Sequence, residues 1–264
     1  LVGSEMCIRD RCRVLNIAET KYNKGIAAKG YYLMGVDVGR FGCTTEVVII
    51  KVTPQPTGVS AKQIVNIYTF EEDHFGMQAI KLKRLFNQYK CNIAVIDGNG
   101  LGAGLVDFLV IDQEDYDTGE TLYNWGVFND EDRKYKNYET PDTIHNAMYI
   151  MKADQALNSE MYAYCQSQLL SGKLRFLIDE NVAKNKLMAQ AQGKKMSAVQ
   201  RADYLRPYVE TSILKSQMAN LVQENEGAKI ILKQSSRKIK KDKFSALIYG
   251  LYWCKLQEDK NHKR

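Results

Sequence analysis

The sequence predicts an α/β domain, a mixed sheet flanked by helices with a mainly helical insertion, and three observations predict it. Strand-length runs rich in apolar and β-branched residues fill much of residues 30–97. Helical periodicity separates two of them, and single acidic residues stand inside runs that are otherwise apolar. An apolar fraction of 45% and only 4 prolines in 264 residues suit one large packed domain. No apolar run is long enough to span a bilayer and the first residues lack a secretory pattern, so a protein without membrane contact is expected.

Taken in order, Tyr31–Val38, Thr45–Val52 and Gln63–Phe70 read as strands, with Pro54-Gln55-Pro56-Thr57-Gly58 marking the second turn. Gly76–Tyr89 carries the helical period and Asn92–Asp97 is a fourth strand. The glycine-rich turn Gly98-Asn99-Gly100-Leu101-Gly102 then opens a second helix, and Leu122–Phe128 makes a further short strand. Asp112-Gln113-Glu114-Asp115-Tyr116-Asp117 fails the calcium-loop spacing, because glycine falls at the wrong place, and reads as a solvated loop. Residues 140–226 look mostly helical, broken at Gly172, Gly193 and Pro207, so the insertion falls within about 140–235. Phe244, Leu247, Ile248, Leu251 and Tyr252 form the apolar stripe of a last helix. The domain is thus expected over 30–257, with a basic tail at 258–264.

Three carboxylates carry the chemistry. Asp37 lies inside the apolar run Tyr31-Tyr32-Leu33-Met34-Gly35-Val36-Asp37-Val38-Gly39, Asp97 closes Cys91-Asn92-Ile93-Ala94-Val95-Ile96, and Asp242 stands at the entrance of the last helix. A lone carboxylate in an apolar strand is costly, so it is either paired or a ligand to a cation. Each has a rival reading. Asp37 can be a turn-forming aspartate. Asp97 with the glycines after it nearly satisfies a dinucleotide-binding pattern, although its strand is not the first of the sheet. Asp242 can simply cap its helix.

In this order and on these elements, Gly-Val-Asp-Val-Gly at 35–39, Ile-Asp-Gly-Asn-Gly-Leu-Gly at 96–102 and Lys-Asp-Lys-Phe-Ser-Ala-Leu-Ile-Tyr-Gly-Leu at 241–251 resemble the nuclease domain of tailed-phage terminase large subunits. The resemblance covers residues 30–257, and Leu170–Phe176 is also family-like. It implies a ribonuclease-H-like mixed sheet and an endonuclease that cuts double-stranded DNA concatemers during packaging in the host cytoplasm. Asp37, Asp97 and Asp242 would be both catalytic and metal-binding, around two Mg²⁺ or Mn²⁺ ions. Portal protein and small terminase subunit are the implied partners. Such proteins carry an ATPase motor before the nuclease, but no Gly-x-x-x-x-Gly-Lys-Ser/Thr loop occurs in this sequence. Residues 1–11 back-translate to a sequence resembling a library-preparation adapter, which sets residues 1–29 apart as artefact and linker and implies a truncated reading frame.

Two-metal hydrolysis of a phosphodiester explains the residue type: ions roughly 4 Å apart activate water and stabilise the leaving oxygen, and hard cations take oxygen ligands. The net charge of +6 is concentrated at the C-terminal end, where residues 229–264 hold eleven Lys or Arg against three acidic side chains. Arg237, Lys238, Lys240, Lys241 and Lys243 therefore form the expected DNA-backbone contact, a solvated loop being the rival reading. Cys7, Cys12, Cys43, Cys91, Cys165 and Cys254 are scattered without a Cys-x-x-Cys pair, which favours reduced thiols over structural zinc. Two other function classes stay open: an actin-like or sugar-kinase-like ATPase, for which Val36-Asp37-Val38-Gly39 and Thr44-Thr45 imitate a phosphate loop, and a non-catalytic DNA-binding or portal-docking fragment.

Overall fold

A computed structural model describes residues 16–23, 30–39, 43–55, 58–71, 74–227 and 229–262. The chain forms β1 (Tyr31–Asp37), β2 (Thr44–Thr53), β3 (Ala61–Glu71), α1 (Phe75–Tyr89), β4 (Cys91–Asp97) and α2 (Gly102–Leu109). A small hairpin of β5 (Gln113–Glu114) and β6 (Thr121–Leu122) follows, then β7 (Trp125–Val127), β8 (Ile144–Met151), α3 (Gln155–Leu170) and β9 (Leu174–Arg175). The last part holds α4 (Glu180–Ala189), α5 (Ala191–Lys195), α6 (Ala198–Ala219), the hairpin β10 (Leu221–Glu226) and β11 (Lys229–Gln234), and α7 (Asp242–His262). Seven strands make one mixed sheet in the order β7-β8-β4-β1-β2-β3-β9. β1, β2 and β3 are antiparallel neighbours, whereas β4 runs parallel to β1 and β8 parallel to β4.

Alternation along each strand divides the core into two layers. Tyr32, Met34 and Val36 join Val47, Ile49, Ala94 and Ile96 beneath Leu82 and Phe86 of α1 and Leu105 of α2. Leu33 joins Val48, Ile50, Ile93 and Val95 on the opposite face, under Phe244, Leu247 and Leu251 of α7 and Met161 and Cys165 of α3. Residues 35, 37, 46 and 97 share this second parity, so their side chains belong to the face that α7 covers.

Several sequence expectations need correction. The place beside β4 belongs to β8, inside the stretch expected to be helical, while Leu122–Phe128 divides between the small hairpin and the sheet-edge strand β7. Ala147-Met148-Tyr149-Ile150-Met151 carries little β-branching, and Asn146, at φ 55°, bends the strand; burial between β4 and β7 overrides that propensity. Pro207 does not end a helix. It is buried within the 22 residues of α6, which starts on a Ser197–Gln200 capping box. Gly193 likewise lies within α5.

Asp112–Asp117 is no free loop. Asp115 is buried and held by the Arg84 guanidinium, and Asp112 Oδ1 accepts the Asn124 amide at 2.7 Å. The supposed tail from 258 continues α7 to His262, with buried Glu258 ion-paired to Lys62 at 2.6 Å. Residues 1–11 lie outside the described residues, but 16–23 are more than linker. Glu19 N–H donates to Val65 O at 3.0 Å, Asn16 Nδ2 donates to Ile64 O at 3.0 Å, and Lys51 pairs with Glu19 at 2.9 Å.

A close backbone contact joins β1 to α7. A Cβ built on Gly35 would stand 2.0 Å from Ala246 O and 2.8 Å from Gly250 N, so the strand and helix backbones touch. At Gly250 the two nearest neighbours are methyl ends, Ile50 Cδ1 at 2.9 Å and Leu33 Cδ1 at 3.0 Å, with the Gly35 backbone N at an ordinary 3.4 Å. Gly35→Ala should therefore cost more than the usual 1–3 kcal/mol of overpacking, because backbone must move. Gly250→Ala should fall within that range, since side chains can turn. Urea unfolding that ranks the two variants in reverse would show that α7 is not fixed by this contact.

Candidate active site

Asp37 and Asp97 end adjacent parallel strands that pair as far as Val36 with Ile96, so both carboxylates lie at the carboxyl edge of the sheet, where open α/β sheets bind ligands. Asp242 is the first residue of α7, the helix that packs across β1, β2 and β4. The three are coupled through space. Burial, then Asp242, Asp97 and Glu46, push the Asp37 carboxyl up to about 8, while Lys241 pulls it down. Burial also raises Asp97, against the Asn99 backbone N–H, which donates to Asp97 Oδ1 at 3.0 Å, and the Tyr249 hydroxyl.

Glu46 was missed by sequence reasoning. It is the cross-strand partner of Asp37 and lies 3% exposed on the same face. Its position in Thr44-Thr45-Glu46-Val47 was the available signal: an acid inside an otherwise apolar, β-branched strand. Thr44 Oγ1 donates to Glu46 Oε1 at 2.9 Å, and Thr69 Oγ1 donates to Glu46 Oε2 at 2.8 Å.

The basic run is divided by the fold. Arg237, Lys238 and Lys240 are exposed on the turn between β11 and α7, and Lys241 is half-buried and acts electrostatically on Asp37. The Asn220 side chain fastens this turn, donating to Ser236 O at 2.9 Å and accepting from Ser236 N–H at 2.9 Å. Lys243, expected on DNA, is instead buried. Its Nζ lies 2.6 Å from Glu46 Oε2, 2.9 Å from Glu210 Oε2 and 2.7 Å from Thr69 Oγ1. The first turn of α7 rotates it away from solvent and into the core.

Carboxylate oxygens suit a hard divalent cation, and unneutralised negative charge gives one a reason to bind. Among the described residues Asp37 has no ion pair, and Asp242 and Asp97 both act to keep it protonated. As arranged here, no three His, Cys, Asp or Glu side chains among the described residues are close enough to share a metal ion. The site is thus an edge of coupled carboxylates.

No protein-family model matches the chain, and no curated protein does. Solved structures do resemble it. The large terminase nuclease from thermophilic phage G20c with bound magnesium superposes with a TM-score of 0.52 at 11% identity, covering 93% of this chain and 96% of that one. The large terminase nuclease domain of Thermus phage P74-26 gives 0.50 at 11%, covering 91% and 90%. The nuclease domain of the large terminase subunit gp2 of bacterial virus Sf6 gives 0.50 at 11%, covering 94% of each chain. The shared feature is the fold, a ribonuclease-H-like mixed sheet with helices on both faces.

The raised Asp37 has a thermodynamic consequence. The unfolded carboxyl releases its proton near 4 and the folded one near 8, so the native state holds the extra proton between those values. Stability contributed by this group is full below about pH 4 and lost as pH rises through 8. Asp37→Asn, neutral throughout, should flatten the decline and melt above the wild type at pH 9 in EDTA. Identical pH slopes for both proteins in scanning calorimetry would place Asp37 outside the coupled cluster.

Proposed function

We propose that this chain is a metal-dependent endonuclease domain of the phage large-terminase type, cutting double-stranded DNA concatemers during genome packaging. The observation that carries the reading is the carboxylate edge: Asp37 raised by both Asp97 and Asp242, on a fold similar to terminase nucleases, one of them with bound magnesium. Asp37, Asp97 and Asp242 hold Mg²⁺ or Mn²⁺, two ions in the fullest form. When bound, the ions polarise the scissile phosphate and lower the pKa of attacking water. Asp37 must give up its proton to ligate, so affinity rises as pH approaches 8. Tyr249 orients Asp97 by its hydroxyl hydrogen bond.

Arg237, Lys238, Lys240 and Lys241 bring the DNA backbone to this edge by charge, without reading sequence. By the same reading the protein works in the host cytoplasm with portal protein and small terminase subunit. Among the described residues no helix is long and apolar enough to cross a membrane. An actin-like ATPase is less well supported. Thr44 Oγ1 donates to Glu46 and Thr45 Oγ1 donates to Gly39 O at 3.1 Å, so internal contacts use hydroxyls that a phosphate loop would offer.

Purified protein should nick and linearise plasmid DNA with Mn²⁺ or Mg²⁺ and without ATP, and Asp37→Ala or Asp97→Ala should abolish cutting while leaving DNA binding intact or tighter. Cutting at near-normal rates by both variants would sink the assignment. Arg237→Ala, Lys238→Ala and Lys240→Ala combined should weaken binding to unrelated DNA sequences alike and reduce the salt slope by about 0.9 per lost phosphate contact. A salt slope equal to the wild type's in a fluorescence titration would move the DNA path elsewhere.

A further inference from the structure

Lys243 and Glu46 tie the start of α7 to the middle of the sheet beside the carboxylate edge. Lys243 follows Asp242 directly in the chain, and Glu46 faces Asp37 across the β1–β2 pair. Both partners are buried, with side chains 5% and 4% exposed, and their contact is 2.6 Å. Thr69, opposite Glu46 on β3, closes a ring: its hydroxyl donates to Glu46 Oε2 at 2.8 Å and accepts from Lys243 Nζ at 2.7 Å. Three elements, β2, β3 and α7, thus meet at one ammonium group. Glu210 of α6 is the looser arm. Its Oε2 lies 2.9 Å from Lys243 Nζ yet makes no hydrogen bond among the described residues.

Resting on the nuclease reading, we propose that Lys243 is a positioning residue: its tie to Glu46 and Thr69 fixes the first turn of α7, and so fixes the Asp242 carboxylate relative to Asp37 for metal binding. The geometry favours this over a role for Lys243 in stability alone. A buried pair of opposite charges is an indifferent source of stability compared with apolar side chains of similar volume, but it has a single arrangement. A hydrophobic side chain at 243 could slide along the core, whereas an ammonium held by a carboxylate and a hydroxyl cannot. Asp242 lies one residue before the anchored position, which leaves its backbone little freedom. Groups that orient ligands from behind in this way commonly govern metal affinity by 10–100-fold.

A neutral, volume-matched clamp tests the idea. Lys243→Met alone would strand the buried Glu46 and the half-buried Glu210 and risk unfolding, so the test variant combines Glu46→Gln, Lys243→Met and Glu210→Gln. Glu210→Gln alone is the control, because it changes the net charge by the same one unit and leaves the Lys243–Glu46 tie in place. Mn²⁺ binding by calorimetry, with melting in EDTA as the folding check, should show at least a tenfold affinity loss in the triple variant. The control should change less than threefold, and both should stay folded. Adding Asp242→Asn should weaken metal binding sharply in the wild type and little further in the triple variant, the signature of two changes acting through one group.

A triple variant that binds Mn²⁺ like the wild type would overturn the clamp. Equal losses in triple and control would also overturn it, since net charge would then be the cause. Full additivity with Asp242→Asn would do the same. These results leave the nuclease reading standing. Wild-type protein that neither binds Mn²⁺ nor cuts DNA would remove the nuclease reading and the clamp's role together.

Discussion

The backbone contact between β1 and α7 at Gly35 sets the geometry on which the carboxylate edge depends. Ala246 O and Gly250 N come so close to the Gly35 position that no side chain fits between them. From that point Asp37 is two residues onward on the same strand face, about 7 Å at the usual strand rise. Asp242 is four residues back along the helix from Ala246, about 6 Å and roughly one turn, on nearly the same helical face. Strand and helix therefore bring their acids to comparable heights from one contact. β4 adds Asp97 by parallel pairing with β1, and Tyr249, seven residues from Asp242 on α7, reaches Asp97 from the same helix face.

Elsewhere the fold treats buried charge differently. Lys62 pairs with Glu258, Lys51 with Glu19 and Lys243 with Glu46, each at 2.6–2.9 Å. Lys83 is satisfied by the carbonyls of Ile111 and Leu122 and is lowered to about 7 by burial, a dipolar substitute for a counter-ion. At the carboxyl edge of β1 and β4 this rule lapses. Asp37 faces Asp97, Asp242 and Glu46, with Lys241 as the opposing charge. Concentrating like charge there costs stability, and a functional site is where such a cost is tolerated.

The sequence showed the first five core elements because their periodicity, turn residues and burial agree. β1, β2, β3, α1 and β4 all fall within a few residues of the expected ranges; Asp97 and Asp242 stand at the strand end and helix entrance where they were expected, while Asp37, expected inside its strand, closes it. β8 was hidden because an interior parallel strand shows no alternation, and Ala147, Met148 and Met151 are helix formers. α6 was obscured by Pro207, whose penalty is offset by packing of a long helix. Glu46 escaped notice for another reason. A carboxylate directly opposite Asp37 becomes visible only when the β1–β2 register is known, and a single-residue slip would have placed it on the other face.

The run from Arg237 to Lys243 shows how far charge counting can go. As composition it is one basic segment, and a uniform role on DNA follows naturally. Helix geometry divides it, because each residue beyond the start of α7 turns about 100° further round the axis. Arg237, Lys238 and Lys240 precede the helix and stay in water, Lys241 stands at its mouth near Asp37, and Lys243 is carried inward to Glu46. An exposed lysine can exchange a phosphate for its counterions at little cost, whereas Lys243 would have to abandon two carboxylates and a hydroxyl to do so. The same residue type thus serves attraction on one side of Asp242 and fixation on the other, and the boundary between them is the first turn of the helix that Gly35 allows to dock.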